Sequence, residues 1–204
     1  MRTRHPRSWF SRSPSGRRLV AGLLAGLLLA TEAGAVVTLV SGYSGTRRLT
    51  LRIGTASSGI VDTVNFTVPA TSVGSGPVAA SSGGVVFRMY MQVPLSKIPQ
   101  SMATTVDSSV GLTCTTPASC GGTIIPFSDI SWVVTPAPSG TYAGFDLQNG
   151  TFTGGTAQPL LGFSLIGGSG SVEVQATMNF TFANSTVYPA GTYQGRVTYT
   201  ATLP

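Results

Sequence analysis

The sequence predicts an all-β fold, an antiparallel β-sandwich, and three observations carry that expectation. Apolar and polar residues alternate with a period of two through most of 36–204. No stretch there sustains the 3.6-residue period of an amphipathic helix. Gly and Pro, 26 and 13 of 204 residues, fall in short clusters such as Gly74-Ser75-Gly76-Pro77 and Ser81–Gly84, which punctuate strands with turns. At 42% hydrophobic and 9% charged, the chain can fill a core and carries too little charge for intrinsic disorder.

The first element is an address. Residues 1–18 carry Arg2, Arg4, Arg7, Arg12, Arg17 and Arg18; Leu19–Ala30 is an unbroken apolar run; Thr31-Glu32-Ala33-Gly34-Ala35 ends in a small-x-small site. These are the parts of a secretory signal peptide, cleaved after Ala35. A twelve-residue helix spans about 18 Å against a hydrocarbon core of about 30 Å, which weighs against an uncleaved anchor. Ser15-Gly16-Arg17-Arg18-Leu19-Val20 loosely resembles a twin-arginine signal, so the export route stays open. Removal of 1–35 leaves one domain, 36–204, bound for the periplasm, the cell surface or the medium. It also leaves Arg47, Arg48, Arg52, Arg88, Lys97 and Arg196 against Asp62, Asp107, Asp129, Asp146 and Glu173, a net charge of +1 in place of +6. The basic balance belongs to the leader, and contact with a membrane is expected only through it, during export.

Strands are then expected in chain order. Residues 36–40 open the domain. Residues 48–53 set Leu49, Leu51 and Ile53 opposite Arg48, Thr50 and Arg52; 60–68 set Val64, Phe66 and Val68 on one face, ending at Pro69. Residues 85–93 alternate Val85, Phe87, Met89, Met91 and Val93 with Arg88, Tyr90 and Gln92. Only 94–108 leaves room for brief helical turns. Shorter strands are expected at 109–113, 123–127, 130–135, 142–147 and 160–166. The clearest alternation lies in 172–182, with Val172, Val174, Ala176, Met178, Phe180 and Phe182 on one face, and in 193–203, with Tyr193, Val197, Tyr199, Ala201 and Leu203.

Cys114 and Cys120 flank Thr-Thr-Pro-Ala-Ser. In an oxidising compartment two such cysteines form a disulfide, worth about 2 kcal/mol for so small a loop. Redox chemistry fits less well, since catalytic pairs are usually two residues apart. His5, the one histidine, leaves with the leader. Without it neither a Ser–His–Asp or Cys–His site nor a histidine metal site can be assembled. An enzyme would have to bring two of five carboxylates into one cleft. No Gly-rich loop ending in Lys suggests a phosphate site, and no cofactor or metal is expected. Basic residues do not cluster with aromatics along the chain, apart from the pair Arg47-Arg48, which argues against nucleic acid. Trp132, Tyr142, Tyr188 and Tyr193 could stack on sugar rings, although Trp132 in Ile130-Ser131-Trp132-Val133-Val134 reads as core. Asn65, Asn149, Asn179 and Asn184 each precede x-Ser/Thr and match glycosylation acceptors.

Tyr188–Pro204 (YPAGTYQGRVTYTATLP) resembles the final strand of bacterial fimbrial subunits, the chaperone–usher pilins and spore-coat-protein-U-like domains. The match covers 17 of the 169 residues after the leader. The resemblance implies an immunoglobulin-like or pilin-like sandwich, incomplete alone and completed by a strand from a periplasmic chaperone or a like subunit. Tyr193, Val197, Tyr199, Ala201 and Leu203 would border the groove, and Val36, Val37, Thr38, Leu39 and Val40 would be the donated strand. One departure is the disulfide, local here where such pilins bridge strands some tens of residues apart. The expected role is an exported, non-catalytic structural subunit of a fimbria or surface assembly. The alternative is a secreted carbohydrate-binding or adhesive module with a host or surface glycan as partner.

Overall fold

The computed structural model describes residues 43–44, 47–54, 63–136, 147–165 and 170–204. The leader, the donor segment Val36–Val40, Asp62, Asp146 and Tyr142 lie outside them, as does all but the last residue of the expected strand 142–147. In chain order the strands are β1 (Tyr43–Ser44), β2 (Arg47–Ile53), β3 (Val78–Ala79), β4 (Val85–Gln92), β5 (Gln100–Asp107), β6 (Leu112–Cys114) and β7 (Ile124–Ile125). They continue as β8 (Ile130–Pro136), β9 (Gly150–Thr151), β10 (Gln158–Leu165), β11 (Ser171–Phe182), β12 (Tyr193–Gln194) and β13 (Thr198–Thr202). A one-turn helix, α1 (Pro117–Cys120), sits inside the disulfide loop.

The expected all-β sandwich is what forms. The large sheet runs β1-β2-β4-β11-β8-β9, with β3 also paired to β11; β10-β5-β13 makes a second sheet and β12-β6-β7 a third. Every ladder among the described residues is antiparallel. The alternation read from the sequence places the core directly. Leu49, Leu51 and Ile53 of β2, Val85, Phe87, Met89 and Met91 of β4, and Val174, Ala176, Met178, Phe180 and Phe182 of β11 are all buried. From the second sheet Met102, Val106, Tyr199 and Ala201 join the same cluster. The Thr104 hydroxyl of β5 donates to Met89 Sδ of β4 at 3.2 Å, joining the two layers by a polar contact. Phe152 is the hub of an aromatic group, 4.9 Å from Trp132, 5.8 Å from Phe127 and 6.0 Å from Phe180 between ring centres.

Three expectations are corrected. Residues 64–69 form no ladder; only Thr63 makes an isolated bridge. Val64, Phe66 and Val68 still pack on the core, Phe66 against Phe182 at 6.1 Å. The end of β11 is already paired by β3 and β8, so these residues cover the core edge without joining the sheet. The segment 94–108 holds a full strand, β5, besides the short 3-10 turn Leu95–Lys97. Its inward residues are Met102, Thr104, Val106 and Ser108, two of them hydroxylic, so the apolar stripe is broken. The Ser108 side-chain oxygen is buried and has no hydrogen-bond partner among the described residues. The third correction is that 193–203 splits. β12 pairs with β6 and β13 with β5, separated by Gly195–Val197. At Gly195 any Cβ would press on the Gly111 carbonyl, Leu112 and Phe127, so the backbone docks there instead of running on in a ladder.

Candidate functional site

The register of β2, β4 and β11 builds a polar grid on the outer face of the large sheet. Side chains of one strand share a face at every second residue, and paired residues stand side by side. Arg48 therefore lies beside Gln92 and Gln92 beside Ser171; Thr50 beside Tyr90 and Tyr90 beside Glu173; Arg52 beside Arg88 and Arg88 beside Gln175. Tyr90 is the centre of the grid. The Arg48 guanidinium carbon sits 5.6 Å from its ring centre, and its hydroxyl donates to Gln92 Oε1 at 3.1 Å. Arg88 Nε is ion-paired to Glu173 Oε1, both half-buried. Arg48, Thr50, Arg52, Arg88, Tyr90 and Glu173 line a shallow depression of about 180 Å³.

Sequence order hides this cluster. Arg48 and Arg52 are legible as one face of β2, but their meeting with Arg88 and Tyr90 depends on a register that the chain does not spell out. The expectation that cations stay away from aromatics fails: Arg88 and Tyr90 are two residues apart on one face of β4, and Arg48 of β2 sits over the Tyr90 ring.

A second feature is the C-terminal edge. β13 pairs with β5 on one side, and among the described residues no strand pairs with its other side. Of the expected groove-bordering residues, Val197, Tyr199 and Ala201 are buried and Leu203 is half-buried at this edge. Tyr193 stands apart, on β12, its hydroxyl donating to the Pro189 carbonyl at 2.8 Å. Burial pushes the Tyr199 phenol far above its ordinary range. At the start of the edge Arg47 Nη1 donates to the Pro204 carbonyl at 3.4 Å and Nη2 to Gln100 Oε1 at 3.3 Å. Gln100 Nε2 also donates to the Pro204 carbonyl, at 2.7 Å.

The remaining candidates are engaged locally. Cys114 and Cys120 are joined, with Cα atoms 5.9 Å apart. Their loop packs on the turn of the Pro-Ala-Gly motif: a Cβ at Gly191 would overlap Cys120 Sγ, and Thr115 N donates to the Thr192 carbonyl at 2.8 Å. Asp107 Oδ1 accepts from Ser109 N at 3.0 Å and Ser109 Oγ at 2.7 Å, and these bonds hold its carboxyl below the usual range. Asp129 Oδ2 accepts from the Tyr188 hydroxyl at 2.7 Å; burial first, then this carboxylate, raises the Tyr188 phenol. Glu173 serves Arg88 on a third element. Trp132 is in the core, its Nε1 donating to the Gln148 carbonyl at 2.9 Å. Asn184, a sequence match for glycosylation, is only 2% exposed. It has φ 49° and its side chain ties down the 72–76 turn, accepting from Gly74 N and donating to the Ser72 and Gly76 carbonyls. That residue is structural.

No protein-family model matches this chain, and no curated protein matches it.

Proposed function

We propose that the chain is an exported, non-catalytic structural subunit of a bacterial fimbria or other surface assembly, joined to a neighbour or a chaperone by a strand added along β13. The observation that carries this reading is the edge itself. An edge strand presents unpaired N–H and C=O groups, and proteins blunt such edges with Pro, charge or bulges. β13 reads Thr-Tyr-Thr-Ala-Thr and has none of these. An added strand would gain ladder hydrogen bonds from the backbone and packing from its alternate side chains. Val36, Val37, Thr38, Leu39 and Val40 supply the required β-branched and apolar residues within this chain.

The test is deletion of 36–40 in the exported protein, followed by sedimentation and by addition of a synthetic 36–44 peptide. The expected result is a folded monomer that no longer polymerises and whose melting temperature rises with the peptide. An intact chain that remains monomeric, alone and with a co-expressed chaperone, overturns the proposal. A second reading, a secreted glycan-binding module, is favoured by one observation, the arginine-ringed Tyr90.

A further inference from the structure

We infer that the outer face of β2, β4 and β11 is a binding site for an acidic saccharide, an oligomer of pyranose rings carrying carboxylates. This deepens the second reading above and does not depend on the assembly reading.

Three arguments point to that chemistry. The first is charge. Of the six cations that follow the leader, Arg48, Arg52 and Arg88 meet on this face, against the single carboxylate of Glu173. Arg52 stands beside Arg88 in register; Glu173 is ion-paired to Arg88, so the face keeps a net positive charge from Arg48 and Arg52. A bound carboxylate would accept charge-assisted hydrogen bonds from the Arg48 and Arg52 guanidinium groups.

The second argument is the mixture of donors and acceptors. The guanidinium groups donate only, Glu173 accepts only, and Thr50 does both. A nucleic-acid backbone offers phosphate acceptors and would leave Glu173 facing like charge. A uronic-acid unit brings a carboxylate for the arginines and hydroxyl donors for Glu173. The third is shape. Four residues of β2 span about 13 Å and three adjacent strands about 10 Å, which suits one or two sugar rings over a tyrosine.

Isotope-labelled full chain, exported and purified, would be titrated with tetragalacturonate while backbone amide shifts are followed. Shifts should be confined to β2, β4 and β11 and centred on Tyr90. Arg52→Thr should weaken binding about tenfold, as expected for loss of a charge-assisted contact, without lowering the thermal midpoint, because Arg52 is an exposed surface residue. Arg48→Thr gives the same readout should Arg52→Thr fail to fold. Arg196→Thr, which removes an exposed cation between β12 and β13, should bind as the parent does. The inference is overturned by absence of shifts, by equal binding of neutral maltotetraose, by tighter binding of oligo(dT), or by an Arg196→Thr loss matching that of Arg52→Thr. A chain that polymerises but ignores tetragalacturonate sinks this inference alone.

Discussion

Among the described residues the second sheet ends in two edges, β10 and β13, that are built in opposite ways. β10 carries Pro159, and its register with β5 shifts between Pro159 and Leu161. Pro removes a backbone donor, and the irregularity twists the ladder, so this edge is poorly suited to accept another strand. β13 runs Thr198–Thr202 in unbroken register against β5, with Tyr199 and Ala201 buried beneath it. Both strands flank the same partner, so the difference lies in the edge residues and not in the sheet. It teaches that a protein can guard one side of a sheet while leaving the other regular and anchored.

The largest expected effect tests the anchoring. Tyr199→Ala should cost about 3–5 kcal/mol, as large aromatic truncations in cores do. The measurement is urea unfolding; a loss below about 1 kcal/mol would mean that β13 is a frayed edge and the contrast would fail. A smaller effect is pH-dependent. The Tyr199 phenol is raised in the folded state, so its contribution is fully present below the unfolded value of about 10 and is lost as pH rises above it. Stability should therefore fall above about pH 10, and Tyr199→Phe should flatten that slope in alkaline melts. The smallest effect on stability, within about 0.5 kcal/mol, is expected for Thr200→Lys, a surface change on β13. Yet it should reduce self-association in sedimentation, whereas Pro159→Thr on β10 should increase it. If Thr200→Lys assembles as readily as the parent, the two edges are not functionally different.

Legibility in the sequence followed how purely apolar each inward face is. β4 and β11 were readable because every inward position is apolar, from Val85 to Met91 and from Val174 to Phe182. β5 was not, since Thr104 interrupts its inward stripe and Ser108 follows its end, and a hydroxyl reads as a surface residue. The break in 193–203 was hidden because Gly195 keeps the alternation in phase; what stops the ladder is close approach to Gly111, Leu112 and Phe127, distant in sequence. The disulfide was plain from spacing. Arg48 with Arg52 and Arg88 with Tyr90 are legible within single strands, but their meeting depends on the register between β2, β4 and β11.

The clasp of Arg47, Gln100 and the Pro204 carbonyl has a topological consequence. It fastens the head of β2, the head of β5 and Pro204 to one corner of the sandwich. Strand ends that meet at a surface can be joined by a short linker without disturbing the core. A short linker from Pro204 back to Arg47, leaving out the residues ahead of it and β1 with them, and new ends opened in the exposed 81–84 turn would give a permuted molecule of β2–β13. In it β4 is the first strand and β3 the last, and β13 remains beside β5 with its outer side as it was.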